Sequence, residues 1–249
     1  MNRFIEKMLL FQFYFGFVFI HIVNNSMTSI AIPKPNRPCA ALGHYWNWPN
    51  PAPEPLLTLE VFIDYCCPFS ARIFHRLTTE VIPFYNKEQP KIKLIFQQIP
   101  QPWHPQSSTM HESVCAVRHL CGINTTNQYQ TLLCASREQY TDAICQNESR
   151  NAISARLSQL AGTIEGIDAA AVLDRMVVRV TETQKNGGSD SIRVLKFYVK
   201  QHRQLGIHVS PTCRINNMIV DTSSGWTLEE WQTYLDPMVQ LASGGYKRN

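Results

Sequence analysis

The 249-residue chain has no run of five like charges, no Cys-x-x-Cys pair and no uncharged apolar run reaching the ~20 residues that cross a bilayer comfortably. Without a charge run there is no basic arm for nucleic acid; the net charge of +4 is spread over 23 basic and 19 acidic residues. Without paired cysteines there is no zinc-ribbon spacing, and His21, His44, His75, His111, His119, His202 and His208 form no ligand pattern. No metal and no nucleic-acid partner is therefore expected. What remains is an ordinary globular composition, 44% hydrophobic and 17% charged, long enough for a sizeable core.

The N-terminus has a layout of its own. A short basic stretch, MNRFIEK, precedes the sixteen mostly apolar, uncharged residues MLLFQFYFGFVFIHIV and then NNS. Residues 1–26 read as a signal peptide, although no good small-x-small tripeptide follows Val23 to mark cleavage. An uncleaved signal anchor and a true start at Met27, with an upstream extension before it, are the alternatives. The expected location is the secretory pathway or extracellular space, or the cytoplasm for a Met27 start. Membrane association is expected only if the segment is not cleaved.

Eight cysteines is an even count, and Cys115, Cys121, Cys134 and Cys145 fall close together. In a secreted chain this invites disulfides. Cys115 and Cys121 on one helix would sit about 9 Å apart along its axis, too far to bridge each other, so each would pair with Cys134 or Cys145. The competing reading is that buried free cysteines act as small hydrophobes.

Residues 27–55 hold seven prolines and show no helical or strand period. They read as an extended arm, with Tyr45, Trp46 and Trp48 packing on the domain that follows. LLTLEVFIDY then suits a buried strand ending near Asp64, and CPFSARIFHRLTTEVIPFY a helix with Pro68 in its first turn and Phe69, Ile73, Phe74 and Leu77 on one face. KIKLIFQQI supplies a second strand, completing a βαβ unit whose default crossover is right-handed. From about 107 to 205 the sequence is helical almost throughout, with breaks at GINTT, GTIEGI and KNGG. HVSPTCRINNMIVD gives two short strands around an Asn216-Asn217 turn, and Thr227 with Glu230 forms a capping box for a last helix.

The order βαβ, helical block, ββα is that of an α/β thioredoxin-like fold with a helical insertion, and the sequence resembles the DsbA-like thioredoxin-fold family. Two stretches carry the resemblance. FIDYCCPFSARIF is similar to the family's strand followed by a Cys-Pro-aromatic-Cys helix start, with Cys67, Pro68, Phe69 and Ser70 in the four positions. GIHVSPTCRINN is similar to its proline loop and hairpin, and QPWHPQSS resembles the eukaryotic branch. The likeness spans about residues 56–243. It implies a cis proline at Pro211 and docking of an extended polypeptide on Pro68, Phe69, Ser210 and Pro211.

A thiol at a helix N-terminus meets unpaired N–H groups and the positive end of the dipole, which favour a thiolate, so Cys67 is the expected nucleophile. Ser70 stands where the family has its resolving cysteine, which excludes a dithiol oxidase mechanism at that pair. The carboxylate that thioredoxins place six residues before the nucleophile falls at Val61; Asp64, three before it, is expected to pair with local backbone N–H groups. His104, in a loop after the second strand, is a candidate to favour the Cys67 thiolate, against the alternative of a plain surface histidine.

Three chemistries stay open for a monothiol site. Cys67 forms mixed disulfides with polypeptide thiols or disulfides and an external thiol such as glutathione resolves them. Alternatively Cys66 resolves them, through a strained ring of adjacent cysteines. The third resembles kappa-class glutathione transferases, which carry Ser where this chain has Cys67. A redox-inactive polypeptide-binding module is the non-enzymatic alternative. No resident cofactor is expected, glutathione being the one candidate small molecule.

Overall fold

The computed structural model describes residues 42–49 and 53–244. The apolar N-terminal segment and much of the proline-rich arm lie outside the described residues. Among those described, no helix is long and apolar enough to cross a membrane.

Two seven-residue strands make the centre of the sheet: β2, Leu57–Ile63, and β3, Ile92–Gln98. They run parallel, with Val61 opposite Phe96 and Ile63 opposite Gln98. Both are buried at nearly every position, as strands covered on both faces must be, and their sequences are apolar accordingly. The buried polar exceptions are paired: Glu60 accepts from Gln97 Nε2 at 3.1 Å and meets Arg214 at 2.9 Å. Strand β4, Thr212–Ile215, pairs antiparallel with β2, and β5, Met218–Val220, antiparallel with β4. Asn216 and Asn217 turn the hairpin with φ of 47° and 71°, the left-handed pair that a tight two-residue hairpin requires.

The proline-rich arm holds a strand that its sequence does not announce. His44–Tyr45, β1, pairs antiparallel with β3, giving the order β1-β3-β2-β4-β5. Gly43 makes this possible: at φ 106° its backbone lies so close to the sheet that a Cβ would meet Ile95 Cγ2 at 2.5 Å. Trp46 packs edge-on against Phe74 and Phe96, centroids 5.3 and 6.1 Å away, as expected of an aromatic in the arm.

Helix α1, Pro68–Arg76, follows β2 and continues through a π turn, Leu77–Val81, into a last turn, Ile82–Tyr85. Ile73, Phe74 and Leu77 face the core; Phe69, assigned to that face from the sequence, is instead 52% exposed. Between β3 and β4 lie only helices: α2, Ser107–Ala135; α3, Arg150–Gly162; α4, Ala169–Met176; and α5, Asp190–Gln204, with two short turns after α2. Gly122, at φ 78° and ψ −172°, breaks α2 at the predicted GINTT. Side-chain oxygens of Ser149, Asp168 and Ser189 cap the next three helices. Helix α6, Leu228–Ala242, opens on the predicted Thr227–Glu230 capping box.

The disulfides expected in the helical block are not formed: all seven described cysteines are free. Their sulfurs have separate surroundings. Cys115 receives a bond from Gln98 and packs beside Leu195 and Tyr198, whereas Cys145 approaches the Gln139 carbonyl and Arg156. Cys213 is buried against β2, its thiol pushed up to about 12 by burial.

Candidate active site

Strand β2 ends at Ile63, and Asp64, Tyr65 and Cys66 carry the chain to Cys67, which caps α1 in an extended conformation, φ −75° and ψ 124°. The Cys67 N–H donates to the Asp64 carbonyl at 3.0 Å, and its own carbonyl accepts the first helical bond from Ala71 at 3.1 Å. Pro68 follows at the first helical position, where its missing N–H leaves no bond unmade. Cys67 thus stands at the helix start, where the first N–H groups have no helical partner, although its side chain makes no cap bond to them.

Sheet register brings the second half of the site to it. Because β4 runs antiparallel to β2, its first residue, Thr212, lies opposite Phe62 near the end of β2. The loop just before Thr212 therefore meets the start of α1: the Cys67 thiol donates to the Ser210 carbonyl at 3.6 Å, and the Ser210–Pro211 peptide is cis.

The two neighbouring cysteines face different elements. Cys66 donates to the Tyr140 carbonyl at 3.5 Å and accepts from Gln106 Nε2 at 3.1 Å, so its sulfur is aimed at the helical block. Burial, then the Asp64 charge, push its thiol up to about 12, against the opposing bond from Gln106. Held there, Cys66 is protonated at neutral pH and turned away from the cis-proline loop that Cys67 faces. Ser70 is buried and its Oγ accepts the Asp64 N–H at 3.2 Å, so its hydroxyl serves the backbone.

Asp64 does more than local capping. Its Oδ1 accepts the Cys66 N–H at 2.9 Å and the Ser107 hydroxyl at 2.7 Å; its Oδ2 accepts the Gln101 N–H at 3.2 Å and lies 2.8 Å from His104 Nδ1. His111 approaches from α2, Nε2 to Oδ1 at 3.7 Å. Burial alone would raise the carboxyl, but the nearby His111 ring and the hydrogen bonds from His104 and Ser107 outweigh it and hold Asp64 down at about 2. It is a buried, ionised carboxylate with its acceptor positions filled. His104, expected to act on Cys67, is bound instead to Asp64; the hydrogen bond of the Cys67 sulfur runs to Ser210.

Apolar side chains stand exposed on the helix start, on the loop bound to Asp64 and on the loop bound to Cys67: Phe69 at 52%, Trp103 at 58% and Val209 at 50%. Arg72 lies over the Phe69 ring, and Trp103 stands edge-on to His104. Trp103 and Val209 escape the sequence reading, as does His111. The available signals were the adjacency of Trp103 to His104 and of Val209 to Ser210; no local pattern marks His111, because only tertiary packing brings it to Asp64. Among the described residues no cluster of His, Cys, Asp and Glu has the makings of a metal site.

No protein-family model and no curated protein sequence matches the chain. Solved structures do. A candidate protein-disulfide isomerase from Pseudomonas syringae is 24% identical, with a TM-score of 0.58 over 72% of this chain and 93% of its own. Oxidised BdbD from Bacillus subtilis, at 15% identity, gives 0.53 over 75% and 89%. ScsC from Proteus mirabilis, at 18%, gives 0.50 over 76% and 71%. With the cis-proline loop beside a cysteine at the start of α1, and a helical block between β3 and β4, the chain has the DsbA-like thioredoxin fold.

Proposed function

We propose that the protein is a monothiol thiol-disulfide exchange catalyst in which Cys67 forms a mixed disulfide that an external thiol resolves. The observation that carries this reading is the Cys67 sulfur, held at the N-terminus of α1 and against the Ser210 carbonyl, with a serine in the fourth position of the motif. In the first step the Cys67 thiolate attacks one sulfur of a substrate disulfide, and the other sulfur leaves as a thiolate. In the second an external thiol, glutathione being the candidate, attacks the substrate sulfur of the mixed disulfide and Cys67 leaves. Each step exchanges one S–S bond for another with no net redox change. Ser70 has no thiol to offer for the second step, and Cys66 is turned away and held protonated.

A polypeptide is the substrate class that best suits the rim. Phe69, Trp103 and Val209 are exposed apolar side chains on the segments next to Cys67, Asp64 and Ser210, and Ser210 with Pro211 offers backbone to an extended chain. That same rim supports the second reading, a polypeptide-binding module without turnover. The two part in one assay: release of glutathione from a glutathionylated peptide, followed against free glutathione concentration. The exchange reading predicts a rate that rises with free glutathione and is lost in Cys67→Ser. Peptide affinity retained with no turnover in the native chain would favour the binding module. The proposed location is the secretory pathway, on the strength of the basic-then-apolar N-terminal segment.

A further inference from the structure

A monothiol site hands its difficult step to the incoming thiol. At pH 7 a free thiol with a pKa of about 8.5 is only about 3% thiolate, so a base beside the mixed disulfide accelerates resolution by up to about thirtyfold. Asp64, whose carbonyl accepts the Cys67 N–H, also orients an imidazole, that of His104.

The carboxylate of Asp64 is fully buried and receives the Cys66 N–H, the Gln101 N–H and the Ser107 hydroxyl. An ionised carboxylate only accepts, so the 2.8 Å contact with His104 is an Nδ1–H donating to Oδ2. That fixes the tautomer. In the neutral imidazole the proton is on Nδ1 and the lone pair on Nε2, which has no hydrogen-bond partner among the described residues and is not among the buried unpartnered atoms. The side chain is 21% exposed, open enough to meet a small thiol. The backbone holds it there: the His104 N–H donates to the Gln101 carbonyl at 3.1 Å, and its carbonyl accepts from Ser107 at the start of α2 at 2.9 Å.

Base and nucleophile hang from one residue. Asp64 holds the His104 ring through its carboxylate and the Cys67 amide through its carbonyl. The other imidazole against Asp64 cannot serve: His111 is wholly buried, and its Nδ1 is engaged with Gln98 Oε1 at 2.8 Å.

We propose that His104 is the general base that deprotonates the external thiol during resolution of the Cys67 mixed disulfide, and that Asp64 is the positioning residue that sets its tautomer. This rests on the exchange reading above. The external thiol gives its proton to His104 Nε2, and its sulfur attacks the substrate sulfur bonded to Cys67. A new S–S bond joins thiol and substrate, the old one breaks, and Cys67 departs as a thiolate. The imidazolium then returns its proton to Cys67 or to solvent. The logic is that of a carboxylate-oriented histidine serving a nucleophile, with the nucleophile supplied from outside.

The test uses the full chain carrying glutathione on Cys67, with release followed at pH 7 by two attacking thiols. One is glutathione, mostly protonated at that pH; the other is an aromatic thiol already ionised there. His104→Asn keeps an N–H for Asp64 and removes the basic nitrogen. It is expected to slow glutathione about ten- to thirtyfold, to leave the aromatic thiol within about twofold, and to recover part of the loss with added imidazole. Asp64→Asn is expected to give the same thiol-selective loss. A His104→Asn chain that loses both rates equally, or neither, overturns the assignment. If Cys67 forms no adduct at all, the exchange reading itself falls; if the adduct forms and resolves independently of His104, only the base assignment does.

Discussion

Ser70, three residues after Cys67, is buried and commits its hydroxyl to the Asp64 N–H. Replacing it tests the division of labour between the neighbouring side chains. Ser70→Cys is expected to let a local thiol displace a Cys67-bound partner faster than any external one, so the glutathione adduct no longer accumulates and an internal disulfide replaces it. Loss of the Asp64 N–H acceptor would lower stability by about 1 kcal/mol. Intact-mass analysis after exposure to glutathione disulfide, with urea unfolding alongside, reads both effects. Continued accumulation of the adduct in Ser70→Cys would show that position 70 cannot reach the Cys67 sulfur. Part of this scale was legible in the sequence: a cysteine followed by Pro68 ahead of the 3.6-residue period marks a helix start at Cys67, as found. The Asp64 network was not, because its partners Gln101, His104, Ser107 and His111 lie 37 to 47 positions away and nothing in their local pattern points back. The exposure of Phe69 was misread for a related reason. Helical periodicity assigns a face, but in the first turn Cys67 and Ser70, not Phe69, are the buried residues.

The elements that position Cys67 were predictable because their signals are local. The strands and helix of the βαβ unit, the Asn216-Asn217 hairpin and the Thr227 cap each declare themselves by local periods, turn residues or caps, and each is present. Strand β1 is the counterexample. It is two residues long, lies in a proline-rich stretch and is held by a partner more than fifty positions away, so no period exists to be read. What fixes it is Gly43 against Ile95 and Trp46 against Phe74 and Phe96. Gly43→Ala should therefore push the arm off the sheet edge, combining a positive-φ penalty with a backbone-close clash. A loss of about 2 kcal/mol is expected by urea unfolding. Trp46→Ala should cost a comparable amount, about 2 kcal/mol, reduced from a full core truncation because the ring is half-buried. If both variants unfold at the native midpoint, β1 is not part of the cooperative unit.

Across the whole molecule a buried polar chain connects the site to the far edge of the sheet. Asp64 meets His111, His111 donates to Gln98, Gln98 donates to His44 at 3.2 Å, and the Tyr198 hydroxyl of α5 lies 3.4 Å from the same His44 nitrogen. Burial foremost, then the charges of Arg118 and His111, hold His44 down at about 3; burial likewise lowers His111 against the pull of Asp64. A base whose folded pKa is depressed binds its proton more readily when unfolded. The stability these imidazoles allow is therefore complete above about pH 6.5 and is lost as pH falls, for His44 down to about pH 3, at up to about 1.4 kcal/mol per pH unit for each. Asp64, depressed to about 2, adds a loss of the same sign below about pH 4. Urea midpoints should accordingly fall between pH 6.5 and 4, and His44→Gln should flatten that slope while lowering stability at pH 7. The account as a whole turns on which sulfur reacts. Equilibration of the full chain with glutathione disulfide, followed by peptide mapping of the separately labelled Cys66 and Cys67, decides it: the predicted result is one glutathione on Cys67 and none on Cys66. A glutathione on Cys66, a Cys66–Cys67 disulfide, or an unmodified Cys67 would contradict it.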